Sequence, residues 1–145
     1  MQTFLNLDHT ENEIIYSSEN KTVIQSLEKR VKYLIICGSS KSGKTTIAQK
    51  FSINYKVDLI KNIPKDLIFN KETYLDLNTL PAQDENFFHF LQYFISNNIP
   101  LTIFTSENSI DNLNDEFYLP DVVSRLKQFT LCNIHDPNKD LLFKL

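Results

Sequence analysis

The sequence of 145 residues has only two glycines, two arginines and two cysteines, and it contains no tryptophan. No apolar run approaches the roughly 20 residues that a membrane-spanning helix needs, so membrane contact is not expected. The N-terminus lacks the basic flank and apolar stretch of a secretory signal. Cys37 and Cys132 lie in apolar runs, which is typical of buried thiols in a reducing compartment rather than of a disulfide framework. We therefore expect a cytoplasmic protein.

A strong excess of positive charge is also missing. The formal net charge is −3, which makes direct DNA binding unlikely because contact with the phosphate backbone needs clustered lysine and arginine. Eleven phenylalanines and six tyrosines supply enough apolar surface for a core, so a disordered chain is excluded. The length suits one domain, since domains commonly have about 100–150 residues.

Short apolar runs alternate with longer amphipathic stretches along the chain, which is typical of a parallel sheet covered by helices on both faces. Strands are predicted at residues 33–37, 57–60, 73–77, 101–105 and 129–134. Helices are predicted at residues 21–31, 44–54, 84–96, 120–127 and 137–145. These segments together predict a three-layer α/β fold with a five-stranded parallel sheet. The loop pattern between the first predicted strand and the second predicted helix makes this a fold of the P-loop NTPase type.

Both glycines fall in one segment that satisfies the pattern G-x-x-x-x-G-K-[ST], between a predicted strand and a predicted helix. Its residues are Gly38, Ser39, Ser40, Lys41, Ser42, Gly43, Lys44 and Thr45. In such a loop, backbone N–H groups and the N-terminus of the following helix bind phosphates. Lys44 is expected to reach the β- and γ-phosphate oxygens and Thr45 to ligate Mg²⁺. The predicted ligand is therefore ATP or ADP with magnesium.

The magnesium of such a site also needs an acid at the end of a neighbouring strand. Asp76 ends the third predicted strand and is our prediction, whereas its competitor Asp58 lies inside the short second strand. Nucleotide hydrolases of this kind usually have a second acid beside the first, which orients the attacking water. Leu77 and Asn78 follow Asp76 instead. The sequence thus favours nucleotide binding with weak or no hydrolysis.

Several stretches resemble the AAA+ family, in the branch that contains the replication initiator DnaA and its regulator Hda. Residues 119–126, LPDVVSRL, are similar to the LPDLxSRL stretch of Hda, and residues 15–20 resemble the segment ahead of the first Hda helix. Residues 105–108 stand where the family has its sensor-1 loop, with Glu107 and Asn108 in place of the usual Asp and Arg. The resemblance implies that residues 13–145 form an AAA+ nucleotide-binding domain.

The same resemblance implies a role for one of the two arginines. Arg125 stands at the position of the family's arginine finger, which reaches in trans to the nucleotide of a neighbouring subunit. Arg30 has no such context, and we expect it to be a solvated helix residue.

Residues 1–12 are predicted to be a flexible segment that carries a peptide for the DNA polymerase sliding clamp. Gln2, Leu5 and Leu7 stand at the spacings of the peptide Q-L-x-L-x-L found at the start of Hda, with Thr3 in place of a leucine. A frayed terminus or an edge strand is the alternative interpretation. The resemblance implies two partners, the clamp and DnaA, and a function in the regulatory inactivation of DnaA at the initiation of chromosomal replication.

Two features depart from the family pattern and keep other functions open. The stretch between the predicted P-loop helix and Asp76 is short, and the sequence ends where the family begins its helical lid, so we expect the lid to be missing. A small ATPase of the tRNA threonylcarbamoylation type is one alternative, and a non-catalytic P-loop interaction module is another. A phosphotransferase is disfavoured, because two arginines are few for clamping two phosphorylated substrates.

Overall fold

The computed structural model describes residues 21–39, 43–106 and 118–134 of the chain. Its strands are β1 (Tyr33–Cys37), β2 (Asp58–Ile60), β3 (Thr73–Asp76), β4 (Leu101–Thr105) and β5 (Thr130–Asn133). Its helices are α1 (Lys21–Glu28), α2 (Lys44–Tyr55), α3 (Glu85–Ser96) and α4 (Pro120–Leu126). The five predicted strands and the first four predicted helices are thereby confirmed, with ends that differ by up to three residues. The helix predicted at 137–145 lies outside the described residues.

The five strands form one parallel sheet in the order β2-β3-β4-β1-β5. β1 is central, and its last residue, Cys37, lies opposite Thr105 of β4 and Asn133 of β5. On the other side of β4, Asp76 of β3 lies opposite Phe104. The central strands β1 and β4 are almost wholly apolar because both of their faces are buried.

Helices cover both faces of this sheet, because successive side chains of a strand point to opposite faces. On one face, Leu34, Ile36 and Phe104 pack with residues of α1 and α2. On the other face, Ile35 and Ile103 pack with residues of α3 and α4. The described residues thus form the three-layer α/β arrangement that the sequence predicts. None of the helices in these residues is long and apolar enough to cross a lipid bilayer.

The scarcity of glycine shows at the ends of α1, α2 and α3. After α2, the amide of Lys56 donates to the carbonyl of Ile53 (3.3 Å), and the amide of Val57 donates to that of Ser52 (2.8 Å). This Schellman motif needs a left-handed residue, which is usually glycine because other residues are strained there. Three non-glycine residues with positive φ follow these helices: Arg30 (57°), Lys56 (57°) and Asn98 (60°). The turn around Arg30 is the reason that α1 ends before the predicted residue 31.

The connection from β2 to β3 has no helix, although parallel strands are usually joined through one. Phe69 anchors this connection, since its ring centroid lies 5.8 Å from that of Phe90 and 5.0 Å from that of Phe94. The hydroxyl of Tyr93 donates to the carbonyl of Phe69 (2.6 Å) and accepts from its amide (3.1 Å). Contacts with α3 therefore replace a crossover helix.

Side-chain contacts join the elements near the amino ends of the strands. Arg30 forms an ion pair with Glu72, which precedes β3, and its guanidinium lies 4.1 Å from the ring centroid of Tyr55 in α2. The ammonium of Lys32 donates to the side-chain oxygen of Asn98. Arg30 is exposed, as expected from the sequence, but it lies beyond α1 rather than in it, and its contacts link that helix to α2 and β3.

Candidate phosphate-binding site

The carboxyl ends of β1 and β4 form a topological switch point, because the chain leaves these two neighbouring strands in opposite directions. β1 continues through α2 to β2, at one edge of the sheet, whereas β4 continues through α4 to β5, beyond β1. The two helices lie on opposite faces. Ligands of open α/β sheets bind at such a switch point, outside the carboxyl ends of the strands. Gly38 follows β1 directly at this place.

The loop after β1 leads from this switch point into α2. The structure describes five of the eight predicted phosphate-loop residues: Gly38, Ser39, Gly43, Lys44 and Thr45. Gly43 caps the N-terminus of α2 with a φ of 86°, and a Cβ atom built on it would meet no atom within 4 Å. Glycine therefore supplies a backbone angle that other residues rarely adopt. The first turn of α2 has no acidic residue, so the partial positive charge of its N-terminus is not neutralised there.

Lys44 is the first residue of α2 and is only 3% exposed, whereas the neighbouring Thr45 is exposed. Across residues 21–39, 43–106 and 118–134, no carboxylate lies within ion-pair distance of the Lys44 ammonium. Burying an ammonium group costs free energy unless an anion compensates for it. A buried lysine at an uncompensated helix N-terminus is chemically suited to an anionic ligand.

The structure distinguishes the two candidates for the acidic magnesium ligand, Asp76 and Asp58. Tyr74 packs on the α1/α2 face of the sheet, so the alternation of β3 places Asp76, two residues later, on the face where α2 lies. Asp58 is instead the first residue of the edge strand β2, and its carboxylate lies 3.8 Å from the ammonium of Lys71. Asp76 therefore shares the carboxyl edge and the sheet face of Lys44, and Asp58 does not.

A row of hydrogen bonds joins the chain segments at the carboxyl edge. The amide of Gly38 donates to the carbonyl of Thr105 (3.0 Å). The hydroxyl of Thr105 donates to the carbonyl of Asn78 (3.2 Å), and the amide of Ser106 donates to the same carbonyl (3.1 Å). Sequence reasoning missed these contacts. The signal that could have found them is the position of Thr105 at the end of a strand that was predicted correctly.

Arg125 is not brought next to the phosphate loop of its own chain. α4 runs from the carboxyl edge toward the amino ends of the strands, where the ring of Phe129 lies 5.4 Å from that of Tyr33, the first residue of β1. The Nε atom of Arg125 donates to the side-chain oxygen of Gln92 (2.5 Å), and its guanidinium lies 5.5 Å from the ring centroid of Phe88. Arg125 is half-buried between α4 and α3.

Other predicted site residues lie outside the described residues. They are Gln2, Leu5, Leu7, Ser40, Lys41 and Ser42. Their assignments to the clamp peptide and to the phosphate loop stay predictions.

An open pocket of about 730 Å³ lies at the start of α3, which packs on the other face of the sheet from α2, and this pocket was not predicted from the sequence. It is lined by residues 79–84, which precede α3, by the first two residues of α3 and by Tyr118. Asp84 caps α3 there, and its carboxylate accepts from the amide of Asn86 (2.8 Å). The pocket has polar lining residues near Asp84. Because its residues follow β3, it lies at the carboxyl ends of the strands, as Asp76 does.

The polar groups at this edge fit a magnesium ion that is bound together with a nucleotide. The part of the chain that the structure describes contains no group of three or more His, Cys, Asp or Glu residues that could hold a metal by themselves. Magnesium does not require such a group, since it is commonly held by phosphates, water and one or two protein ligands. The exposed hydroxyl of Thr45 and the carboxylate of Asp76 meet this smaller requirement.

No protein-family model matches the chain, and no curated protein matches its sequence. Its function has to be inferred from the residues and geometry described above.

Proposed function

We propose that the chain binds ATP or ADP with Mg²⁺ at the carboxyl ends of β1 and β4, as a P-loop protein. The observation that supports this most is the placement of Lys44, which is 3% exposed and has no carboxylate partner among the described residues. It stands at the start of a helix whose first turn carries no acid, directly after Gly43 at φ 86°. A polyphosphate would compensate both the buried ammonium and the helix N-terminus.

Each polar group at the carboxyl ends of the strands has a chemical role in this proposal. The loop amides bind phosphate oxygens and Lys44 neutralises their charge. Thr45 and Asp76 hold the hydrated magnesium ion. That ion, when bound, screens the charge of the phosphates and orients them.

Fast hydrolysis is not part of this proposal. Leu77, which follows Asp76, packs against the apolar cluster of α3 and α4, so it offers no group to orient a water molecule. A general base for water attack would need a carboxylate or another acceptor within hydrogen-bonding distance. We therefore expect a nucleotide-binding protein with weak or no intrinsic ATPase activity.

In its finer form, the proposal assigns the chain to the regulation of chromosomal replication initiation. The support is the resemblance to the Hda branch of the AAA+ family. Residues Gln2, Leu5 and Leu7 then bind the sliding clamp, and Arg125 promotes hydrolysis of the ATP held by DnaA. For that role, the Arg125 guanidinium has to exchange its contacts with Gln92 and Phe88 for a phosphate oxygen of the partner.

Pull-down of purified sliding clamp and DnaA with ADP, ATP or no nucleotide tests this finer form. We expect clamp and DnaA to be retained together when nucleotide is present. Joint replacement of Leu5 and Leu7 by Ala removes clamp binding. If the double variant retains the clamp as well as the wild type does, the clamp assignment is wrong.

The finger assignment is tested by the ATPase rate of DnaA in the same mixture. Arg125→Ala is expected to abolish stimulation while nucleotide binding is unchanged. The exposed Lys127, at the end of the same helix, provides the control Lys127→Ala, which is expected to stimulate normally. Equal stimulation by both variants contradicts the finger assignment. Nucleotide binding without any binding of clamp or DnaA contradicts the replication function.

A further inference from the structure

Thr105 is the last residue of β4, and its side chain is fully buried. Because β4 lies between β1 and β3, this residue is in reach of both segments that make up the candidate site. On the side of β1, its carbonyl accepts from the amide of Gly38 (3.0 Å), at the start of the phosphate loop. On the side of β3, its hydroxyl donates to the carbonyl of Asn78 (3.2 Å), two residues after Asp76.

The segment after Asp76 is held to β4 by further bonds. The amide of Ser106 donates to the same Asn78 carbonyl (3.1 Å), and the amide of Leu77 donates to the carbonyl of Phe104 (2.9 Å). A carbonyl oxygen has two lone pairs, so it can accept from the Thr105 hydroxyl and the Ser106 amide together. The hydroxyl of Thr105 thus adds a side-chain hydrogen bond to the backbone hydrogen bonds that join these segments.

We propose that Thr105 is a positioning residue that fixes Asp76 relative to the phosphate loop. This inference rests on the proposed nucleotide site. Parallel strands lie about 4.8 Å apart, so β3 and β1 are separated by roughly 10 Å with β4 between them. Thr45 and Asp76 would hold a magnesium nucleotide from the two sides of that separation, so its affinity would depend on how rigidly the separation is kept.

The two hydrogen bonds of Thr105 predict that its hydroxyl affects only the magnesium-dependent part of the affinity for nucleotide. Thr105→Val removes the hydroxyl but retains the carbonyl that accepts from Gly38. The phosphate loop keeps its anchor, so binding in the absence of magnesium is expected to be unchanged. The segment of Asp76 loses a side-chain bond, so the gain in affinity that magnesium provides is expected to fall.

Calorimetric titration with ADP, once with Mg²⁺ and once with EDTA, measures that gain as the ratio of the two Kd values. One hydrogen bond of ordinary strength corresponds to a loss of about three- to tenfold in this ratio. We expect that loss for Thr105→Val and for Thr105→Ala, with Kd values in EDTA within about twofold of wild type. Thr105→Ser, which keeps a hydroxyl, is expected to retain most of the gain.

Thr102 supplies a matched control on the same strand. It is 1% exposed and lies opposite Leu34 of β1 and Tyr74 of β3, away from the carboxyl edge. Thr102→Val is expected to leave the magnesium gain unchanged, and thermal unfolding of each variant shows that it is folded at the titration temperature.

Three outcomes overturn the inference. They are an unchanged gain in Thr105→Val, an equal loss in Thr102→Val, and a wild-type affinity that does not depend on magnesium. In each of these cases nucleotide binding itself stands. Failure of the wild type to bind ADP in either buffer contradicts the proposed function, and the role of Thr105 fails with it.

Discussion

At the amino ends of the strands, charged side chains join the elements in addition to backbone hydrogen bonds, whereas at the carboxyl ends backbone groups and the hydroxyl of Thr105 do so. Near the amino ends, Arg30 pairs with Glu72 and Lys32 donates to Asn98, so that each of these cationic side chains has a partner within the chain. At the carboxyl ends, the bond between the Gly38 amide and the Thr105 carbonyl is typical. There, no described carboxylate pairs with Lys44.

This difference indicates which polar side chains are left to bind a ligand. The groups at the amino ends are satisfied internally and contribute to stability. Lys44, Thr45 and Asp76 lie at the opposite ends, and their side chains form no hydrogen bond or ion pair with other described residues. The two glycines follow the same division, since both belong to the phosphate loop while the left-handed helix ends use Arg30 and Lys56.

The largest stability effect is expected at the amino ends. Arg30→Ala removes the ion pair with Glu72 and the contact with the Tyr55 ring, which should lower the free energy of unfolding by about 1–2 kcal/mol. The measurement is urea denaturation of both proteins in the absence of nucleotide. Lys29→Ala, an exposed neighbour, is the control and should change stability by less than about 0.5 kcal/mol. Equal effects of the two variants would mean that the Arg30 contacts do not stabilise the fold.

At the carboxyl ends, removal of a cationic side chain is expected to raise the free energy of unfolding instead of lowering it. Lys44→Met keeps the length of the side chain but removes the charge that is buried there, so the unliganded protein should gain about 1 kcal/mol. The same denaturation experiment without nucleotide measures it. Lys61→Met, at an exposed site, is the control and should have little effect. A clear destabilisation by Lys44→Met would show that the ammonium has a stabilising partner in the unliganded protein.

A smaller gain in stability is expected at the residues with left-handed backbone conformation that follow the helices. Lys56→Gly relieves the strain of a φ of 57° after α2 and should stabilise the protein by about 0.5–1 kcal/mol. Asn54→Gly places the same residue on an exposed position inside α2 and should cost about 0.5–1 kcal/mol instead. Thermal unfolding compares the two variants. If both destabilise the protein equally, the helix end at Lys56 is not strained.

The smallest effect concerns alkaline pH. Burial raises the pKa of the Tyr74 hydroxyl, with a further contribution from the nearby Glu72. A raised pKa of an acid keeps the folded state neutral while the unfolded chain ionises near pH 10, so stability is complete below that pH and falls above it. At pH 10 the free energy of unfolding is expected to be lower by about 0.4 kcal/mol. Tyr74→Phe should flatten the fall between pH 9 and about 10.5 in urea denaturation, and an unchanged profile would contradict this cause.

The sequence predicts the strands well because β1 and β4 are buried on both faces and therefore read as continuous apolar runs. Helix ends were less accurate. The residues after α1 and α2 that take the left-handed conformation are Arg30 and Lys56, and neither carries the glycine signal that marks such an end. The irregular connection from β2 to β3 depends on the packing of Phe69 against α3, a contact between residues that are distant in sequence.

The candidate site was predictable as far as its signal is local. The phosphate-loop pattern is one continuous segment that ends at Thr45. The choice between Asp76 and Asp58 needed the sheet, because only the three-dimensional arrangement shows which residue stands at the carboxyl edge. The sequence indicates that Thr105 ends a strand, but the partners of Thr105 and Arg125 needed the structure, since each contact joins elements that lie apart in the chain.

Calorimetric titration of the wild-type chain with ATP and ADP in the presence of Mg²⁺, repeated with Lys44→Ala, tests the central claim most directly. The proposed site predicts one nucleotide per chain for the wild type and a loss of affinity of about 10- to 150-fold for the variant, since a charge-assisted contact is removed. Absence of heat and of binding in the wild type, or equal affinity of both proteins, would contradict a nucleotide site at the carboxyl ends of β1 and β4.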